Sequence, residues 1–214
     1  MVRPTPQYPP SRAAVLPLVG GVLAFDLTNT SSGRGGPRWL EHLQTADNVV
    51  DWARHAKILT ARDAGRLHRL VAADRRLAGR LLAGMTGLRE VIHCVGVEIA
   101  TTGRVARKHR DALVRIHAET LARARLVPSL STPSHSTFVW VWDPAASPVE
   151  AILGPIVLSG LSLLTGADLS RIKRCPGDHC GWLFFDATKN KGRRWCEMEV
   201  CGNRAKQKRR RGRT

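Results

Sequence analysis

The stretch RCPGDHCGWLFFDATKNKGRRWCEMEVCGNR, residues 174–204, decides how this chain is organised. It holds four of the five cysteines, spaced as Cys175-x4-Cys180 and Cys196-x4-Cys201 with fifteen residues between the pairs. Two short-range cysteine pairs supply from two chain reversals the four soft ligands that a tetrahedral Zn²⁺ takes. Four thiolates leave no open position for water or substrate, so one structural zinc is expected rather than a catalytic one. Pro176 and Gly177 make the first reversal, Trp182–Phe185 reads as a strand, and Lys189–Gly192 reads as a turn. Arg193–Trp195 then returns to the metal as the second arm of a hairpin. From Glu197 the pattern is helical, with acids near the start and Lys206, Lys208 and Arg209 near the end, the polarity a helix dipole favours. The module therefore reads as treble-clef-like: knuckle, hairpin, then a helix whose first turn carries a ligand. His179, beside Cys180, is a spare donor for which a surface role is expected.

The surroundings of the cysteines are strongly cationic. The 214 residues carry a formal net charge of +17, of which residues 171–214 supply +10. Such a field draws polyanions, chiefly nucleic acid. Lys189, Lys191, Arg193, Arg194, Arg204, Lys206, Lys208 and Arg209 are the candidate contacts, with duplex DNA as the expected partner. RNA or the ribosome is the alternative, because Trp182, Phe184, Phe185 and Trp195 are aromatic groups on which bases stack. In so small a module those rings are expected to form a miniature core instead.

Outward from the module, the preceding chain is mostly helical in pattern. Val15–Leu27 is apolar with a Gly-Gly break and is expected to form one or two short buried strands. Ser31–Pro37 is a Gly-rich loop without the Gly-Lys-Ser/Thr of a phosphate loop. Thr45 caps a helix with Val49, Val50, Trp52 and Ala53 on its apolar face, and Thr60 with Asp63 opens the next. Longer helical patterns run from Asp74 to Ala100 and from Val105 to Ala124. Leu126–Pro128 and Thr137–Asp143 suit a hairpin. Ser147-Pro148-Val149-Glu150 is a helix start, and the helix to Leu164 is apolar nearly all round, as a core helix would be.

Several function classes lack support. The longest apolar run, Ala151–Gly166, is too short for a membrane span. Arg3 and Arg12 precede the apolar Ala13–Phe25 as in a signal peptide, but Pro17, Gly20 and Gly21 interrupt it and no cleavage site follows. No catalytic motif is present among the histidines or carboxylates, so no enzyme activity is expected. Cys94 stands alone as a small buried side chain. A cytoplasmic, nucleoid-associated protein is expected, where thiols stay reduced. Asn29 and Thr30, polar groups at the end of an apolar segment, suggest either strand-end capping or a ligand pocket.

Cys180-Gly181, Phe185-Asp186, Arg194-Trp195-Cys196, Met198 and Cys201-Gly202-Asn203-Arg204 resemble the CGNR zinc finger. Thr188-Lys189-Asn190 stands where that family shows Ser-Arg-Asn. Gly21-Val22-Leu23-Ala24-Phe25-Asp26-Leu27-Thr28-Asn29-Thr30 is similar to the opening of the ABATE domain, as are Val50 with Trp52 and the aromatic Val139–Trp142. The resemblance implies a stress-induced transcription regulator with a zinc-dependent DNA-binding finger. The expected fold is α+β: a disordered tail at 1–11, a mainly helical ABATE-like domain with a few short strands at 12–170, the finger at 171–208 and a basic tail at 209–214. A regulator of this kind leaves a homodimer and an unidentified small-molecule effector open.

Overall fold

The computed structural model describes residues 11–34, 36–37, 39–129 and 137–211. Of the expected disordered tail, residues 1–10 lie outside this set, as do residues 212–214 of the basic tail.

Seven helices and three two-stranded antiparallel sheets make up the described chain. A 3₁₀ turn, Ala13–Val15, leads to α1 (Leu23–Thr28). The strands β1 (Ser31–Ser32) and β2 (Leu40–Glu41) pair across the Gly-rich loop. Then come α2 (Ala46–His55), α3 (Ala61–Ala73), α4 (Arg75–Thr102) and α5 (Arg107–Leu121). The hairpin of β3 (Arg125–Pro128) and β4 (Phe138–Val141) precedes α6 (Glu150–Gly166). The chain ends with β5 (Ile172–Arg174), β6 (Leu183–Phe185) and α7 (Asn203–Arg211).

Local chemistry accounts for most boundaries. Thr45 accepts from the Asn48 N–H while the Asn48 side chain reaches back to the Thr45 N–H, a reciprocal box that satisfies two free donors at the start of α2. Thr60 caps α3 by accepting from the Asp63 N–H, and Asp74 caps α4 by accepting from the N–H groups of Arg76 and Leu77, without the reciprocal bond. Gly103, left-handed at φ 68°, ends α4. Helix α4, about 42 Å long at 1.5 Å per residue, is the spine, touching α1, α2, α3, α5, α6 and both strands of the C-terminal hairpin. Its buried Arg89 forks onto Glu41 of β2 with two bonds of 2.6 Å. α6 buries Ile152, Ile156 and Val157 completely against this spine.

Four expectations change. The segment read as buried strands contains α1, because Gly20 and Gly21 turn the chain so that Ala24, Phe25, Leu27 and Thr28 are all buried within two turns. Gly21 is left-handed at φ 76°, and a Cβ on Gly20 would lie 2.7 Å from the Asp26 nitrogen. Ser147 makes no side-chain cap; α6 begins at Glu150, although the Ala151 N–H still donates to the Ser147 carbonyl at 2.9 Å. The C-terminal hairpin pairs β5 with β6 around the first cysteine pair, rather than Trp182–Phe185 with Arg193–Trp195. Finally, Arg209–Arg211, expected in a tail, continue α7.

Candidate metal centre and basic face

The first knuckle is the turn of the β5–β6 hairpin. Cys175 donates its N–H to the Trp182 carbonyl at 2.8 Å, and Cys180 donates to the Gly177 carbonyl at 2.9 Å. Left-handed His179 (φ 56°) and Gly181 (φ 70°) bring the chain back into β6. Gly177 has to be small, since a Cβ there would lie 3.0 Å from the Cys201 sulfur. The second pair lies at the entrance to α7. Met198–Gly202 is a wide, π-type turn in which the N–H groups of Cys201 and Gly202 both bond the Glu197 carbonyl. This turn lets Met198 fold over Gly202, where a Cβ would clash with its sulfur. It also aims Cys201 at the other three thiols.

The four sulfurs lie within 4.8 Å of one another, and two of the pairs stand at 3.6 Å. A tetrahedron of sulfurs about 2.3 Å from Zn²⁺ has edges of about 3.8 Å, so the cage fits the ion. The separations are far beyond a disulfide bond of about 2.05 Å. Hydrogen bonding with Cys180 draws the Cys175 thiol below the ordinary range, and bonding with Cys175 pushes Cys180 and Cys196 above it. Sulfurs this close cannot all ionise as neighbours alone; a divalent cation allows all four to do so. Cys175, Cys180, Cys196 and Cys201 thus hold one structural zinc. His179 is exposed and outside the cluster, its ring against the Gly36 backbone.

Asp186 organises the loop between the cysteine pairs. It is fully buried and accepts from Lys173 Nζ at 2.6 Å, Thr188 Oγ1 at 2.6 Å, and the backbone N–H groups of Thr188 and Arg193 at 2.9 Å. Burial alone would raise its carboxyl; these donors instead hold it well below the usual carboxylate range.

The basic residues divide into two groups. Arg193 turns inward: its guanidinium donates to the carbonyls of Val19, Cys196 and Trp195 at 2.7, 2.6 and 3.1 Å and lies 4.3 Å from the Phe184 ring centre. Arg193, expected among the nucleic-acid contacts, thus engages three of its five N–H donors inside the fold. Lys191 is tied to Asp168 at 2.7 Å and Ser170 at 2.6 Å, and Lys208 to Asp178 at 2.7 Å. Lys189, Arg194, Arg204, Lys206 and Arg209 are exposed and, among the described residues, their side chains make no hydrogen bond or ion pair; the Arg194 guanidinium lies 5.9 Å from the Trp195 ring centre. Arg194, Arg204, Lys208 and Arg209 line a groove between the first knuckle and α7, with Trp195 in its wall.

Asn29 has a role different from lining a pocket. Its side-chain amide donates to the Leu183 carbonyl and accepts from the Leu183 N–H, both at 3.0 Å. Next along the same edge, the Phe185 N–H donates to the Gly20 carbonyl at 2.8 Å. The outward edge of β6 is therefore capped by the N-terminal part of the chain, which supplies partners for the Leu183 N–H and carbonyl and the Phe185 N–H. Thr30 donates to the Leu27 carbonyl at 2.7 Å and accepts from Arg89 at 3.3 Å. Leu183 then packs into the notch left by Gly96 of α4, where a Cβ would lie 2.5 Å from its methyl. Of the aromatics, Phe184 and Trp182 are buried in the common core. Cys94 is half-buried, and burial pushes its thiol up.

Sequence reasoning missed the Lys173–Asp186 pair, 13 residues apart, and the Asn29–Leu183 bonds, 154 residues apart. Among the described residues no helix is long and apolar enough to cross a membrane. The ABATE family model, described as "Putative stress-induced transcription regulator", matches residues 21–167, and the CGNR zinc finger model matches residues 171–214. No curated protein matches the chain.

Proposed function

The chain belongs to the ABATE family and carries a CGNR zinc finger at its C-terminal end, and from that premise we propose that it is a transcription regulator whose finger grips duplex DNA. The observation that carries the reading is the set of exposed, uncommitted cations, Lys189, Arg194, Arg204, Lys206 and Arg209, held on or beside a zinc-fixed frame. Cations so placed neutralise phosphates without first giving up an internal partner. Duplex DNA is favoured over single-stranded RNA because Trp182 and Phe184, two of the four candidate stacking rings, are spent in the core.

In this reading the helices of residues 12–170 take the input, from a small molecule or a partner, in a cytoplasmic protein that works on the nucleoid. The Asn29–Leu183 and Arg193–Val19 bonds pass it to the finger. Electrophoretic shift across a salt series tests the proposal. Five phosphate contacts predict a slope of log K against log salt of about −4 to −5. An absence of binding at low salt rejects it, and preference for single-stranded RNA in competition transfers the role to RNA.

A further inference from the structure

The β3–β4 hairpin shows an apolar surface that the proposed function does not use. Phe138, Val139, Trp140 and Val141 are 59%, 44%, 40% and 37% exposed, and Leu126 on the facing strand is 51% exposed. Among the described residues, the hairpin has its buried anchor at its root. There Trp142 is buried against Gly154 of α6 and donates its indole N–H to the Thr120 carbonyl at 2.7 Å. A two-stranded ribbon with exposed apolar faces is marginal alone and becomes stable as part of a wider sheet.

The register says which edge is open. Ser129 donates to the Thr137 carbonyl at 2.6 Å, so the bonded pairs are 129 with 137, 127 with 139 and 125 with 141. Residues 126, 128, 138 and 140 therefore turn their backbone groups outward. On β3 the outward position 128 is proline, which has no N–H, so that edge is blunted. On β4, Phe138 and Trp140 each present an N–H and a carbonyl. Among the described residues nothing bonds them.

We propose that β4 pairs with β4 of a second copy of this chain, joining two hairpins into a four-stranded antiparallel sheet across a twofold axis at Val139. In this register Phe138 of one copy exchanges both backbone bonds with Trp140 of the other, and the reverse pair does the same. Each bonded pair also sets Phe138 beside Trp140 on one face, an aromatic cross-strand contact made twice. The strand thus complements itself in hydrogen bonding and in side chains. Charge points to the same occupant. Residues 126–129 and 137–142 include no charged side chain in a chain of net +17, so two copies can meet here without opposing like charges. The nearest cation on the ribbon, Arg125, lies on the far strand, three strand spacings of about 4.8 Å and four residues of about 3.4 Å along the strands from its copy, about 20 Å in all, beyond a Debye length of about 10 Å.

The test is sedimentation velocity of the zinc-loaded full chain over a micromolar concentration series. The wild type is expected to form a dimer. Phe138→Glu and Trp140→Lys, both at exposed positions, are each expected to raise the dimer Kd by about tenfold or more, with unchanged circular dichroism. Mixing the two variants restores a dimer, since each mixed pair has one Glu–Lys contact and one native Phe–Trp contact. Val139→Cys in a Cys94→Ser background crosslinks across the axis under mild oxidation, whereas Val141→Cys does not. A monomeric wild type overturns the proposal and leaves this edge to a strand from another protein. A dimer indifferent to both charged variants overturns it as well.

Discussion

Replacing Asn29 with alanine tests whether the finger and the helical domain form one structural unit. Alanine deletes two hydrogen bonds of 3.0 Å and leaves the Leu183 N–H and carbonyl without partners at a fully buried position. Each stranded group costs about 1–3 kcal/mol, so the total is about 4 kcal/mol, a large part of the roughly 5–15 kcal/mol that holds a domain folded. Urea unfolding at saturating zinc measures it, and amide exchange at Leu183 gives the local readout. Asn29→Asp sharpens the test. Its carboxylate accepts from the Leu183 N–H but faces the Leu183 carbonyl without a proton to donate. Burial raises its pKa in the folded state, so relative to wild type the variant gains stability as pH falls from 8 to 5. Asn29→Ala unfolding within about 0.5 kcal/mol of wild type, the scatter of ordinary surface changes, would refute the reasoning.

Four further outcomes follow from the same geometry. Arg193→Ala should destabilise the chain by about 2–4 kcal/mol by urea titration, through lost charged hydrogen bonds to three carbonyls; Arg194→Ala should leave stability unchanged and reduce the DNA salt slope by about 1. Gly96→Ala should cost about 1–3 kcal/mol by crowding Leu183, whereas Gly79→Ala, exposed with open space around it, should stabilise by about 0.4–1 kcal/mol. Burial, opposed by the Gly20 N–H, raises the Asp26 pKa to about 6 from 3.8. The folded state then binds more protons between those values, so stability falls as pH rises through that window, a loss absent in Asp26→Asn when both are followed by thermal melting. Stripping zinc with a strong chelator should lower the urea midpoint in a single transition seen alike by circular dichroism and tryptophan fluorescence, because Ile172, Leu183 and Phe184 belong to the common core.

What could be read in the sequence was local chemistry. The metal cage follows from cysteine spacing, and the starts of α2, α3 and α4 follow from Thr45, Thr60 and Asp74, whose partners lie two or three residues away. The β3–β4 hairpin follows from its β-branched and aromatic run. What could not be read depends on distant partners. α1 has only six residues, too few to show a helical period, and its burial on every side mimics a core strand. Arg193 and Arg194 look equivalent in a basic run; the carbonyls of Val19 and Cys196 decide which one points inward. Asn29 in an apolar setting left local capping and a ligand pocket as alternatives because its partner lies 154 residues downstream.

Those distant bonds change what the zinc does. A freestanding finger would rely on its metal for nearly all its folding energy. Here the hairpin around the first knuckle also buries Leu183 and Phe184 against α1 and α4, and the edge of β6 is finished by Gly20 and Asn29. Arg193 closes the arrangement from the other side, joining the Val19 carbonyl to that of the ligand residue Cys196 with a single nitrogen. A shift of α1 and its leading turn relative to α4 therefore cannot leave the cage and its basic groove where they were. Two elements adjoin the metal: the hairpin, locked to the helices, and α7, which has no buried residue and meets the body through Cys201 and Gly202 at its start. The lever that carries Arg204, Lys206 and Arg209 is thus held by the metal and by the exposed Lys208–Asp178 pair at 2.7 Å, while the metal is held by the helical body. Under the proposed function, that order of attachment is the route by which an input at the helices would reorient the cations.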